Sequence, residues 1–128
     1  MVIDKEIIEE IAKKAIESQK LRANLCLHES QDDRVQAMVN VMQPGTQVQI
    51  HRHLYTNEIL AVLSGTITIL YYNSTGDETE RFELSTQDKC IINIPKGQWH
   101  NMVVNETVVL LEVKEGPYRA LLKEEIIQ

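Results

Sequence analysis

The chain has 128 residues, 43% hydrophobic and 25% charged, with a net charge of −6 at pH 7. That length suits one domain with one core, and that composition excludes a disordered chain. The negative field repels phosphate backbones and no Lys/Arg cluster opposes it, so nucleic acid is not an expected partner. Asp4, Lys5 and Glu6 interrupt the apolar run a signal peptide would need, and no stretch approaches the roughly 18 apolar residues of a membrane span. A cytoplasmic protein without membrane contact is expected. In that setting Cys26 and Cys90 read as reduced, buried thiols, with Cys90 at a core position opening the apolar segment Cys90-Ile91-Ile92.

Taken in chain order, residues 4–20 place Ile7, Ile8, Ile11, Ala12, Ala15 and Ile16 at helical spacing. Glu9/Lys13 and Glu10/Lys14 form i,i+4 pairs on the other side, and Asp4 is the candidate N-cap. An amphipathic helix within residues 1–22 is therefore expected to pack on the outside of the remaining domain. From residue 34 the period changes to two. Residues 34–42, 47–53, 59–63, 66–72, 80–84, 90–94 and 108–114 read as short strands. Turn signals separate them at Gln43-Pro44-Gly45, Ser64-Gly65, Asn73-Ser74-Thr75-Gly76-Asp77 and Pro95-Lys96-Gly97. Many short strands with regular turns predict an all-β barrel or sandwich across residues 34–118. The tail from Tyr118 to Gln128 returns to helix-compatible residues, and the whole of 1–128 reads as a single domain.

His51 and His53 lie two apart in a predicted strand, so both imidazoles leave one face with roots about 7 Å apart. Both nitrogens can reach one ion at about 2.1 Å. Glu58 lies at an odd offset from His53, so a bend must fall within Leu54-Tyr55-Thr56-Asn57 for its carboxylate to join them. His100 comes after the tight turn at Pro95-Lys96-Gly97, which can return the chain to the same place. Three of the four histidines in the chain fall in this pattern. An N3O set of this kind suits a divalent metal such as Zn, Fe, Ni or Mn and leaves positions open for water or substrate.

Around the candidate site, alternation places Gln47 and Gln49 on the face of His51, making Gln49 a candidate substrate hydrogen-bonding group. Arg52 points outward between the two histidines, toward an interface or a surface ion pair, and Trp99 is expected on the outer face or a dimer contact. Glu112 and Lys114 share a face with Val108 and Leu110, which alternation alone leaves as either the barrel mouth or the solvated exterior.

Gly45-x5-His51-x-His53-x4-Glu58-x6-Gly65 resembles the first cupin motif in every residue and spacing. Pro95-x-Gly97-x2-His100 is similar to the second, with Lys89 where that motif usually opens on Gly and Asn105 one residue past its closing Asn. Within the superfamily the chain resembles WbuC-type cupin metalloproteins of surface-polysaccharide gene clusters. That likeness is carried by Arg22-x-Asn24, His28, Pro44-Gly45, His51-Arg52-His53, Trp99-His100 and Glu112-Val113-Lys114-Glu115-Gly116-Pro117-Tyr118. It implies a cupin (jelly-roll-like) β-barrel with one bound divalent metal, and substrate contacts among Glu112, Lys114, Tyr118, Arg22 and His28. The substrate it implies is a small oxygen-rich molecule such as a sugar or sugar nucleotide, and the leading expectation is isomerase- or epimerase-like chemistry. Iron-dependent dioxygenase chemistry and a non-catalytic metal- or metabolite-binding role are the alternatives. Barrel edges are usually covered, so a homodimer is expected.

Overall fold

The computed structural model describes residues 1–127; Gln128, the last residue of the expected helical tail, lies outside the described residues. Helix α1 (Lys5–Glu17) is capped as expected: the Ile7 N–H donates to Asp4 Oδ1 at 3.0 Å, satisfying one of the donors a helix start leaves free. Ile11 and Ala15 are the buried centre of its apolar stripe, while Ile16 is exposed.

Among the described residues eight strands come after the helix: β1 (Arg22–Cys26), β2 (Val35–Met42), β3 (Glu58–Ser64), β4 (Thr66–Tyr72), β5 (Glu78–Ser85), β6 (Ile91–Ile94), β7 (Trp99–Val103) and β8 (Val108–Glu115). They form a five-stranded antiparallel sheet in the order β1-β2-β8-β3-β6 and a three-stranded one in the order β5-β4-β7. Leu60, Val62, Val108 and Leu110 of the first sheet meet Ile67, Ile69, Leu84 and Met102 of the second in one core. The opposite face of the first sheet presents Val39, Val41 and Val109 to α1. Period-two alternation thus sends alternate residues of β2 and β8 into two different apolar clusters. Gly65, at φ +80°, makes the turn between β3 and β4; a side chain there would run into the Thr107 carbonyl, so both conformation and space require glycine.

Four expectations are corrected. The two sheets are not closed into a barrel by hydrogen bonding among the described residues, because residues 47–53 do not form the expected strand. Only His51 pairs there, in isolated bridges to His100 and Ile126. The backbone bonds of Ile50, Arg52 and His53 go to the tail and to Gly97 rather than to one neighbouring strand, so no regular ladder forms. Secondly, the tail is not helical beyond a single 3-10 turn, Lys123–Glu125, and is held by backbone bonds of extended type, Arg52 N–H to the Glu125 carbonyl and Ile127 N–H to the Ile50 carbonyl, each 2.9 Å. Thirdly, Cys26 is exposed and Cys90 half-buried, since Cys26 sits on the edge strand β1 and Cys90 falls just outside β6. Fourthly, β1 and β7 are strands where the sequence suggests none. No helix among the described residues is long and apolar enough to cross a membrane.

Candidate metal centre

His51 and His100 are distant in sequence but locked together by reciprocal backbone bonds: the His51 N–H donates to the His100 carbonyl at 3.0 Å and the His100 N–H to the His51 carbonyl at 2.8 Å. Both side chains therefore leave one face. His53 stands two residues further on, and the bend at Leu54–Asn57 turns the chain into β3, whose first residue is Glu58. The three rings surround one point, with centroids 4.3, 5.2 and 5.8 Å apart, and their candidate ligating atoms lie within 4.8 Å of one another. This cluster could hold a metal ion.

The ring orientations are set from behind. His51 Nδ1 stands 2.8 Å from the Gln49 carbonyl and His100 Nδ1 2.9 Å from the Gln98 carbonyl. A carbonyl only accepts, so each Nδ1 carries the proton and each Nε2 keeps its lone pair for the centre, the arrangement metal-binding imidazoles use. Glu58 faces them, Oε2 at 3.2 Å from His53 Nε2 and Oε1 at 3.4 Å from His100 Nε2. These separations fall within ion-pair range, but His53 Nε2, Glu58 Oε1 and His100 Nε2 are all buried without a hydrogen-bonding partner. Buried polar atoms without partners are unfavourable, and a cation standing among these three would satisfy them. The donor set and its frustration fit a divalent cation.

Electrostatics agrees with that fit. Burial, helped by the neighbouring His100, pushes the His51 imidazole down to about 4, so it presents a neutral nitrogen at neutral pH. Burial alone would raise the Glu58 carboxyl, but the imidazoles of His100 and His53 hold it well below the usual carboxylate range. Lys114 Nζ lies 3.9 Å from Glu58 Oε2 and 3.5 Å from Glu112 Oε2, one ammonium between two carboxylates.

The cluster opens on a cavity of about 900 Å³. Glu112, Lys114, Gln47, Gln49, Arg22 and Tyr118 all line it, which resolves the two faces left open for β8: Glu112 and Lys114 are interior. His28 does not line it. Its Nδ1 sits 3.0 Å from both the backbone nitrogen and carbonyl oxygen of Ala37, extending the β1–β2 pairing. Arg52 does point outward, its guanidinium 4.3 Å over the Trp99 ring and its Nε donating to the Glu124 carbonyl at 3.2 Å. Sequence reasoning missed Asn40, whose Nδ2 donates to Glu112 Oε1 at 3.3 Å, and Glu125, whose carboxylate accepts from the Leu54 and Leu122 N–H groups at 2.9 and 2.8 Å. Asn40 was legible by parity, standing between the inward-facing Met38 and Met42. Glu125 was not, since nothing local marks a tail residue that fastens onto a distant loop.

Two antiparallel sheets around a histidine cluster define a cupin fold, and solved structures agree. A cupin superfamily protein from Desulfitobacterium hafniense matches with a TM-score of 0.59 at 17% identity, covering 73% of this chain and 76% of that one. A conserved protein of unknown function from Streptococcus pyogenes matches at 0.63 and 16% identity, covering 93% and 90%. The capsular polysaccharide assembling protein CapF of Staphylococcus aureus matches at 0.60 and 26% identity over 72% of this chain; the match spans about a quarter of CapF, 25% of its length. No curated protein matches the sequence. Residues 3–84 match the family model described as a domain of unknown function, DUF6016, and the chain belongs to that family.

Proposed function

We propose that this chain is a cupin metalloprotein that holds one divalent metal through His51, His53, Glu58 and His100 and acts on a small oxygen-rich metabolite such as a sugar or sugar nucleotide. The observation that carries the reading is the set of polar atoms on His53, Glu58 and His100, left without partners in a buried site toward which backbone carbonyls orient His51 and His100. A divalent cation bound there would polarise a carbonyl or hydroxyl oxygen and lower the pKa of bound water. The chain's own residues do the rest: the Gln98 and Gln49 carbonyls fix the imidazoles and Lys114 balances the charge of Glu58. Isomerase- or epimerase-like chemistry on a carbonyl-bearing sugar suits an oxygen-binding site bordered by a carboxyl–ammonium pair. The likeness to CapF, together with the resemblance to WbuC-type cupins, supports a role in surface-polysaccharide metabolism, and a cytoplasmic homodimer is part of the same reading.

Elemental analysis of protein purified without affinity resin or added metal tests it. Close to one equivalent of metal is expected in the wild type and is lost in His51→Ala and His100→Ala. A wild type that stays empty after incubation with zinc, iron, nickel and manganese would overturn the assignment.

A further inference from the structure

The inner face of the five-stranded sheet carries a second polar feature, which meets the histidine cluster at Glu58. Asn24 on β1 pairs in register with Asn40 on β2, so both side chains leave the same face. Asn40 bonds Glu112 on β8 at 3.3 Å, Glu112 meets Lys114 at 3.5 Å, and Lys114 reaches Glu58 on β3 at 3.9 Å. The result is a polar row across four adjacent strands, ending at the candidate metal centre. Toward the second sheet the same face is apolar, with Leu60, Val108 and Leu110 in the core. Polar groups set into such a surface are costly unless something bonds to them. Asn24, Asn40, Glu112 and Lys114 all line the cavity, and the Asn40–Glu112 bond uses one of the hydrogens of the Asn40 amide.

We propose that Asn24, Asn40, Glu112 and Lys114 form a binding track for an extended polyhydroxylated ligand, one about two linked sugar rings long, whose end reaches the histidine cluster. This rests on the metal reading above and adds the size and chemistry of the substrate. Three inter-strand steps of about 4.8 Å give a row of roughly 14 Å, longer than one sugar ring. A hydroxyl both donates and accepts, and an amide matches both roles, while a carboxylate accepts from two neighbouring hydroxyls at once. Met38 and Met42 flank Asn40 on the cavity wall and supply flexible apolar surface for the carbon faces of the rings.

The test is calorimetric titration of the metal-loaded protein with glucose, galactose and glucuronic acid as methyl glycosides, and with disaccharides built from the same sugars. A disaccharide is expected to bind at least tenfold more tightly than its component methyl glycosides. Asn40→Leu is expected to erase that preference with the metal content unchanged. Should Asn40→Leu fail to fold, Asn24→Ala, at an exposed edge-strand position, is expected to weaken disaccharide binding severalfold. Equal binding of one-ring and two-ring probes, preference unchanged in the folded variants, or no binding by any probe overturns the track. Elemental analysis of the same samples decides the metal reading separately, so the two cannot fail unnoticed together.

Discussion

Strands β3 and β8 run from one kind of interior to another. At one end Leu60 and Val62 pack against Val108 and Leu110, fully or nearly fully buried in a core shared with the second sheet. At the other, two to four residues along the same faces, stand Glu58, Glu112 and Lys114, two carboxylates and an ammonium at the edge of the histidine cluster. The alternation is continuous and only the chemistry changes. The apolar end contributes burial free energy, roughly 1.5–3 kcal/mol for each large side chain, and that surplus holds the polar end in an arrangement it would not adopt unaided.

Given that division, the two ends should respond differently to perturbation. Leu60→Ala, at the apolar end, should lower unfolding free energy by about 3 kcal/mol. Urea denaturation checks this, and a loss below about 1 kcal/mol would mean that β3 is not packed as described. Acid should act on the polar end. In metal-free protein His51 is held at about 4 against 6.5 for an ordinary histidine, so between those values the unfolded chain binds the extra proton. Its contribution is complete above about pH 6.5 and is lost as pH falls toward 4, amounting to as much as about 3 kcal/mol. The Glu112 carboxyl, raised chiefly by burial, acts in the opposite sense as pH rises above its ordinary 4.5. His51→Gln separates the two effects: melting curves of the metal-free variant should lack the acid-side loss, and an unchanged loss would assign it elsewhere.

A smaller effect is expected for Lys114→Met, which leaves Glu58 and Glu112 facing one another. Removing one partner of a buried pair costs about 3–5 kcal/mol, and partial exposure reduces this to about 2. Bound metal should shrink the difference further, because a divalent cation replaces the missing positive charge. Equal destabilisation with and without metal would argue against a cation at Glu58. The smallest effect belongs to the outer face, where Arg52→Ala removes a guanidinium stacked on Trp99. A loss of about 1 kcal/mol or less is expected, with metal content unaltered. Loss of metal in that variant would mean that Arg52 and the extended tail hold His51 in place.

Much of this arrangement is legible in the amino-acid order alone. The helix and its Asp4 cap, the six strands β2 to β6 and β8, and the shared face of His51 and His53 come from period and spacing, and the place of His100 from its resemblance to a known motif. Those signals lie within a few residues of one another or in a motif of fixed length. The features that escaped depend on pairing across the chain. Edge strand β1 is recognisable only through its register with β2, and β7 only through its register with β4. Residues 47–53 alternate like a strand but lack a continuous partner. The tail favours helix by composition, yet is held extended against residues 50–52 because those backbone groups needed partners.

By itself the sequence determined which side chains could share a face and which of them could bind a cation, because alternation, turn chemistry and donor type are properties of short stretches. Tertiary structure alone decided which face is interior: it turned Glu112 and Lys114 inward, sent His28 to the backbone of Ala37, and joined Asn40 to Glu112. The reason is physical. Alternation is symmetric between the two faces of a strand, and the symmetry is broken only when another sheet, or helix α1, covers one of them.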